Sequence, residues 1–173
     1  MTDDAGAENV EEAEALEYGA VVSWSAGEQK VLHVERERWF ETAAEMAADD
    51  WSMCVDLTAV DYLGYSQPRP AAPAGLTLER FEVVASLLSM PRRERVRLRA
   101  QVPESDPTIA SLYEIYPGTD FLEREVFDLM GITFEGHPDL SRILLPEDWE
   151  GHPLRKDFAV GTIPVQFKQP DAS

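Results

Sequence analysis

Arg-Phe-Glu-Val-Val-Ala-Ser-Leu-Leu-Ser-Met-Pro-Arg-Arg-Glu-Arg-Val-Arg-Leu-Arg-Ala-Gln-Val, residues 80–102, decides the fold class. Phe81, Val83, Ala85 and Leu87 alternate with other residues, and so do Val96, Leu98, Ala100 and Val102. A period of two puts each apolar set on one face of a strand. The spacing predicts strands over 80–88 and 95–102, joined by a turn at Met90-Pro91-Arg92-Arg93-Glu94. Five arginines fall between Arg92 and Arg99, and their alternation with Val and Leu predicts a solvated or partner-facing sheet surface in preference to a polyanion site.

Outward from this hairpin the pattern changes period. Ala20–Trp24 and Lys30–Val34 read as a second pair of strands around Ser25–Gln29, and Met53–Val60 as a further strand. Between them, residues 37–48 place Trp39, Ala43, Met46 and Ala47 on one helical face. Pro68, Pro70 and Pro73 predict an exposed, extended loop over 66–75. After Pro107, residues 108–116 read as a short helix, broken by Pro117-Gly118. A second helix is predicted over 121–130, with Asp120 and Glu123 as a capping-box-like start and Gly131 as the stop. On it Leu122, Val126 and Leu129 form an apolar face, while Arg124 and Asp128 stand four apart for a surface ion pair. The fold class expected is α+β: one domain with a small mixed or antiparallel sheet packed by helices over residues 18–135. Residues 1–17 precede it as an acidic, poorly ordered lead-in, and 136–173 form an irregular docking extension rich in Gly, Pro and His. The apolar tail residues Val160, Ile163, Val165 and Phe167 are expected to lie along another surface.

Composition narrows the function. The chain of 173 residues carries a net charge of −18, and residues 1–17 hold seven acids and no Lys or Arg. Phosphate-bearing partners select basic proteins, so nucleic acid is disfavoured. No apolar run reaches the roughly 20 residues of a membrane-spanning helix, and the acidic N-terminus does not read as a secretory signal. The single cysteine, Cys54, forms no intrachain disulfide, cannot supply a four-cysteine cluster site, and reads as a buried structural thiol. Neither a dinucleotide-binding glycine motif nor a P-loop is present.

Charge density persists beyond the second helix, through Glu135, Asp139, Arg142, Glu147, Asp148, Glu150, Arg155, Lys156 and Asp157. His137, Asp139, His152 and Asp157 include metal-donor types, which defines one rival reading, a small metalloenzyme. Each histidine, however, precedes a proline in a Gly-His-Pro turn (136–138 and 151–153), without the helical i, i+4 spacing of the common zinc motif. Ser141 has no nucleophile-elbow context, and the neighbours Glu147 and Asp148 are poorly placed to face each other across a substrate. The alternative is docking: Arg142 and Arg155 offer planar donor forks, and Trp149 and Phe134 rigid apolar anchors.

Glu123-Arg124-Glu125, Asp128, Gly131-Ile132, Phe134, Gly136-His137-Pro138-Asp139-Leu140, Arg142 and Glu147-Asp148-Trp149-Glu150-Gly151-His152-Pro153-Leu154-Arg155-Lys156-Asp157 closely resemble the signature of the respiratory complex I 30-kDa subunit family, in bacteria the C subunit of NADH-quinone oxidoreductase. Asp56–Tyr62 resembles that family's early strand. Phe121 stands where many relatives carry Trp, and Ser141 where a second Arg is frequent. The resemblance implies a cofactor-free, non-catalytic subunit of a complex that passes electrons from NADH through FMN and iron–sulfur clusters to a quinone and translocates protons. Those cofactors belong to partner subunits. The implied partners are the 49-kDa-type or D subunit and the iron–sulfur subunits B and I, on the cytoplasmic side of the membrane. The subunit-interface residues implied are Glu123, Arg124, Glu125, Asp128, His137, Asp139, Arg142, Asp148, Trp149, His152, Arg155, Lys156 and Asp157. Equivalent subunits occur in membrane-bound hydrogenases and deazaflavin- or ferredoxin-linked complexes, and the residues do not choose among electron donors.

Overall fold

The structure, a computed structural model, describes residues 16–25 and 28–159. The tip of the first hairpin, most of the acidic lead-in and the apolar tail beyond Ala159 lie outside the described residues. Strands β1 (Leu16–Glu17), β2 (Ala20–Ser25), β3 (Gln29–Val34), β4 (Met53–Asp61), β5 (Phe81–Ser89) and β6 (Glu94–Val102) form one sheet in the order β1-β2-β3-β6-β5-β4. Every neighbouring pair is antiparallel except β3 and β6. The chain is therefore an α+β domain around a mixed sheet, as the alternation predicts.

Helices α1 (Trp39–Ala48) and α2 (Asp120–Met130) cover one face of the sheet. The apolar rows of β5 and β6 meet Trp39, Ala43 and Met46 of α1 and Val126 of α2 in one cluster. Each large apolar side chain so buried contributes about 1.5–3 kcal/mol. The first helix starts two residues later than its periodicity suggests, because Arg36–Arg38 forms a 3-10 turn before it. Burial pushes the half-buried Cys54 thiol up to about 12, in line with a structural thiol.

Two predictions fail, each for a physical reason. Residues 108–116 are not a helix. Thr108–Ala110 is strand β7, pairing in parallel with β8 (Thr133–Glu135), and only a single turn comes after it, closed by Tyr116 N–H donating to the Leu112 carbonyl at 2.8 Å. The β-branched pair Thr108-Ile109 finds a partner strand, which overrides the weak local helical preference. The proline-rich loop is not simply exposed either. It lies as a strap over the sheet's other face, with Arg69 and Ala71–Pro73 half-buried. Its Ala71 carbonyl accepts from Ser23 Oγ at 2.7 Å and His33 Nε2 at 2.8 Å, and its Pro70 carbonyl accepts from Arg99 at 2.9 Å. Arg99, expected on an open surface, is consequently buried, with Glu82 at 3.4 Å. Burial drives the covered His33 imidazole down to about 4.

Candidate docking extension and its clasp

The second helix brings most of the candidate residues together. Asp120 is its first residue, not its cap; Thr119 precedes it, and neither makes a side-chain cap bond to the backbone. Glu123 turns inward instead of back to the helix start. It is fully buried and accepts from Ser111 Oγ at 2.5 Å, Leu112 N–H at 2.7 Å and Thr119 Oγ1 at 3.0 Å. Burial raises its carboxyl above the usual range, and these three donors only partly offset that. The signal was present in the spacing. Glu123 shares one helical stripe with Val126 and Met130, at i, i+3 and i+7, where a carboxylate must find donors.

Asp128 does not pair with Arg124. Its carboxylate is fully buried and gathers the N–H groups of Ile143 (3.1 Å), Leu144 (2.8 Å) and Leu145 (2.9 Å), with the Arg142 guanidinium at 2.8 Å. Burial alone would raise this carboxyl, but the three N–H groups and Arg142 outweigh it and hold it below the usual range. Arg124 instead donates to Ser141 O and Oγ, lies over the Phe121 ring and has Asp120 at 3.8 Å. Thus Phe121 and Ser141 both contact the same guanidinium.

Further along, the extension closes the C-terminal end of α2. Arg155 donates to the Met130 carbonyl at 2.6 Å and the Gly131 carbonyl at 3.2 Å, with its guanidinium over the Phe81 ring. The last carbonyls of a helix lack internal partners, and a cation there also suits the helix dipole. His152 Nδ1 bonds the Asp128 carbonyl at 3.0 Å, and Leu154 N–H donates to the Leu129 carbonyl at 3.0 Å. Gly131 is left-handed (φ 68°), and a side chain there would collide with His152 and Arg155, so glycine is required twice over.

A second carboxylate anchors the far end. Asp61 accepts from Lys156 N–H at 2.9 Å, Leu63 N–H at 2.9 Å and Arg80 at 2.8 Å. Its burial opposes ionisation, but Arg80 and the two N–H groups prevail and bring the carboxyl down to about 2. Arg80 also binds Asp157 at 2.8 Å and pairs with Glu104. The Arg80 bond depresses the Asp157 carboxyl in turn.

The candidate residues therefore divide. Glu123, Arg124, Asp128, His137, Arg142, His152, Arg155 and Asp157 bond groups of this same chain, as does the backbone of Lys156. His137 packs on Tyr113 and lies 3.3 Å from the Asp120 carbonyl. Asp139 stays exposed while ordering its own turn, accepting from Ser141 N–H at 3.2 Å. Glu125, Asp148 and the Lys156 ammonium are exposed, and Trp149 is half-buried. Phe134 lies in the core on β8, not on a docking surface. His137 and His152 bond different carbonyls, and no three His, Cys, Asp or Glu side chains converge as metal donors among the described residues. A groove of about 670 Å³ lies between the strap and the Arg36–Arg38 turn, and none of the thirteen candidate residues lines it.

Among the mostly polar residues that the extension leaves exposed are two leucines, Leu144 at 59% and Leu154 at 55%, and Phe121 of α2 is 64% exposed. The profile of the respiratory-chain NADH dehydrogenase 30 kDa subunit matches residues 32–163, three-quarters of the chain and the whole described clasp. The chain belongs to this family. Among 30 kDa family relatives, NADH-quinone oxidoreductase subunit 5 of Thermus thermophilus is 45% identical over 139 residues, covering 78% of this chain and 63% of its own length. The corresponding NADH-quinone oxidoreductase subunit of Salinispora tropica is 41% identical, covering 79% and 53%; that of Roseiflexus castenholzii is 45% identical, covering 79% and 73%. This chain thus spans only about half to two-thirds of several family members. A solved structure of the trypsin-resistant fragment (1–134) of Nqo5 superposes with a TM-score of 0.61 at 37% identity, over 70% of this chain and 90% of the fragment. The fold alone is shared with a chain of the archaeal membrane-bound sulfane sulfur reductase, TM-score 0.64 at 19% identity, over 86% and 87%. No helix among the described residues is long and apolar enough to cross a membrane.

Proposed function

We propose that this chain is a cofactor-free, non-catalytic subunit of the peripheral arm of a proton-translocating NADH-quinone oxidoreductase. It docks through its C-terminal extension on the 49-kDa-type subunit, near the quinone-reducing module and beside the iron–sulfur subunits B and I. Flavin, clusters and quinone are handled by those neighbours, and the chain reaches the cytoplasmic face of the membrane only through them. The observation that carries this reading is the clasp. Asp128 and Asp61 fasten an irregular segment to the domain through its backbone N–H groups, and the segment then turns Leu144 and Leu154 outward. An ordered loop that exposes two leucines together with Asp139, Glu147, Asp148, Glu150 and Lys156 has the mixed make-up of a protein interface. Ordering it beforehand lowers the entropy lost on association. The names of its relatives and the Nqo5 likeness support the choice of complex, and a trypsin-resistant 1–134 fragment in Nqo5 fits a body that is separable from the rest of that chain.

Co-expression with the 49-kDa-type subunit tests this directly. The full chain should copurify with it, and a chain ending at Glu135 should fold but fail to do so. Metal and flavin analysis of the isolated full chain should find neither in stoichiometric amount. Equal recovery of the truncated chain would remove the docking role. Stoichiometric metal lost on His152→Ala would favour the metalloenzyme.

A further inference from the structure

Along β6 the outward row runs Arg95, Arg97, Arg99 and Gln101, and Arg93 stands in the turn before it. The strap covers only the far part of this row. Arg99 has Pro70 and Glu82, and Arg69 reaches Gln101 at 2.6 Å. Arg92, on the turn, pairs with Asp49 at 2.5 Å. Among the described residues no acid or carbonyl partners the side chains of Arg93, Arg95 or Arg97. Their neighbours on that face are Leu88 opposite Arg95, Ser86 on one side of Arg97 and the fully buried Val31 on the other. Asp56, across from Ser86 on β4, is the nearest acid in that register and makes no ion pair among the described residues. Arg95 and Arg97 thus share the outward row, with Arg93 in the left-handed turn before them and only Glu94 between as an acid, in a protein whose net charge is −18. Like charges so placed repel, and an acidic segment laid across them would relieve this.

We propose that the chain's own acidic N-terminal segment, through Asp3, Asp4 and Glu8, docks on the Arg93–Arg95–Arg97 patch. Three observations select this occupant. Residues 1–15 carry six acids and no Lys or Arg, the charge this patch lacks. The last acid of the run, Glu17, already pairs with Lys30 of β3. The direction of β1 is also right. Leu16 aligns with Val21, His33 and Arg99 across the sheet, and β1 is parallel to β3 and β6, so β1 enters the sheet from the side of the Arg97 and Arg95 rows. A path beside β2, past the strap and across to β6, is about 28 Å from the strand spacings, which about nine extended residues cover. Glu8, eight residues upstream of Leu16, comes to the near edge of the patch, and Asp4 and Asp3, twelve and thirteen residues upstream, span the path with length to spare.

The test places a nitroxide at Ala7→Cys in a Cys54→Ala chain and reads amide broadening by NMR. The amides of Ser86, Leu88, Arg95 and Arg97 should lose most of their intensity, and those of α1, on the other side of the sheet, should keep theirs. The loss should vanish in R95E/R97E and at about 0.5 M salt, where screening acts over a few ångströms. In the unlabelled native chain, deleting residues 1–14 should shift those same four amides and few others, which guards against a fold defect in the labelled variant. Unbroadened amides with no deletion shift would overturn the proposal and leave the patch to an acidic partner protein. Broadening that survives both charge reversal and salt would overturn it as well.

Discussion

The β5–β6 hairpin and the segment after Gly131 are held in opposite ways. The hairpin is secured by eight alternating apolar side chains that bury themselves against the helices, and almost any residues of similar size and polarity would give the same strands. The extension has little regular structure and few buried apolar groups. It is secured by two carboxylates, Asp128 and Asp61, that collect backbone N–H groups, and by two guanidinium groups, Arg142 and Arg155. Apolar burial spreads stability over many positions. A carboxylate clasp concentrates it in a few, so the two regions should respond differently to single changes.

Leu98→Ala should have the largest effect, lowering global stability by about 2–5 kcal/mol through the cavity left in the central strand. Urea unfolding would read this as a shift of the whole transition. Asp128→Ala should cost about 3 kcal/mol, since it strands three N–H groups and a guanidinium, but the loss should be local. Hydrogen exchange should accelerate at Ile143, Leu144 and Leu145 while the β5 and β6 amides keep their protection. Equal acceleration in both regions would erase the distinction between them. Gly131→Ala should cost about 1–2 kcal/mol from the left-handed backbone, and more if His152 and Arg155 are displaced. Its signature is loss of protection at Leu154 and Arg155 with β6 unchanged.

Acid should separate the regions most gently. The Asp61 carboxyl is depressed to about 2, and those of Asp128 and Asp157 are also lowered. A depressed carboxyl contributes stability that is fully present above its unfolded value of about 3.9 and is lost as pH falls through the folded one. The extension should therefore loosen between about pH 4 and about pH 2, with the hairpin outlasting it. Glu123 has the opposite sign, because protonation relieves a raised carboxyl, so it should not add to this loosening. Exchange rates recorded down this pH range would check the order.

The same contrast explains how legible each part was. Alternation in 81–102 reports burial directly, so the sheet could be read from the residues in it. β7 escaped because its partner, β8, begins 25 residues later, and no local pattern announces a three-residue parallel pair. The strap escaped because its useful groups are the carbonyls of Pro70 and Ala71, which every residue possesses. The helix pattern placed Asp128 correctly on the side away from Val126, yet the extension buries that side too. The family motif singled out residues for contact with other subunits. It did not say that most of them bind their own chain.

The most direct measurement substitutes the outward leucines and spares the clasp. Leu144→Asp with Leu154→Asp should leave the isolated chain's unfolding transition and exchange pattern close to those of the parent, because both side chains are exposed. Capture by the 49-kDa-type subunit should fall at least tenfold, as expected for loss of about 1.4 kcal/mol or more at an interface centre. Undiminished capture by a chain that still folds would contradict the account.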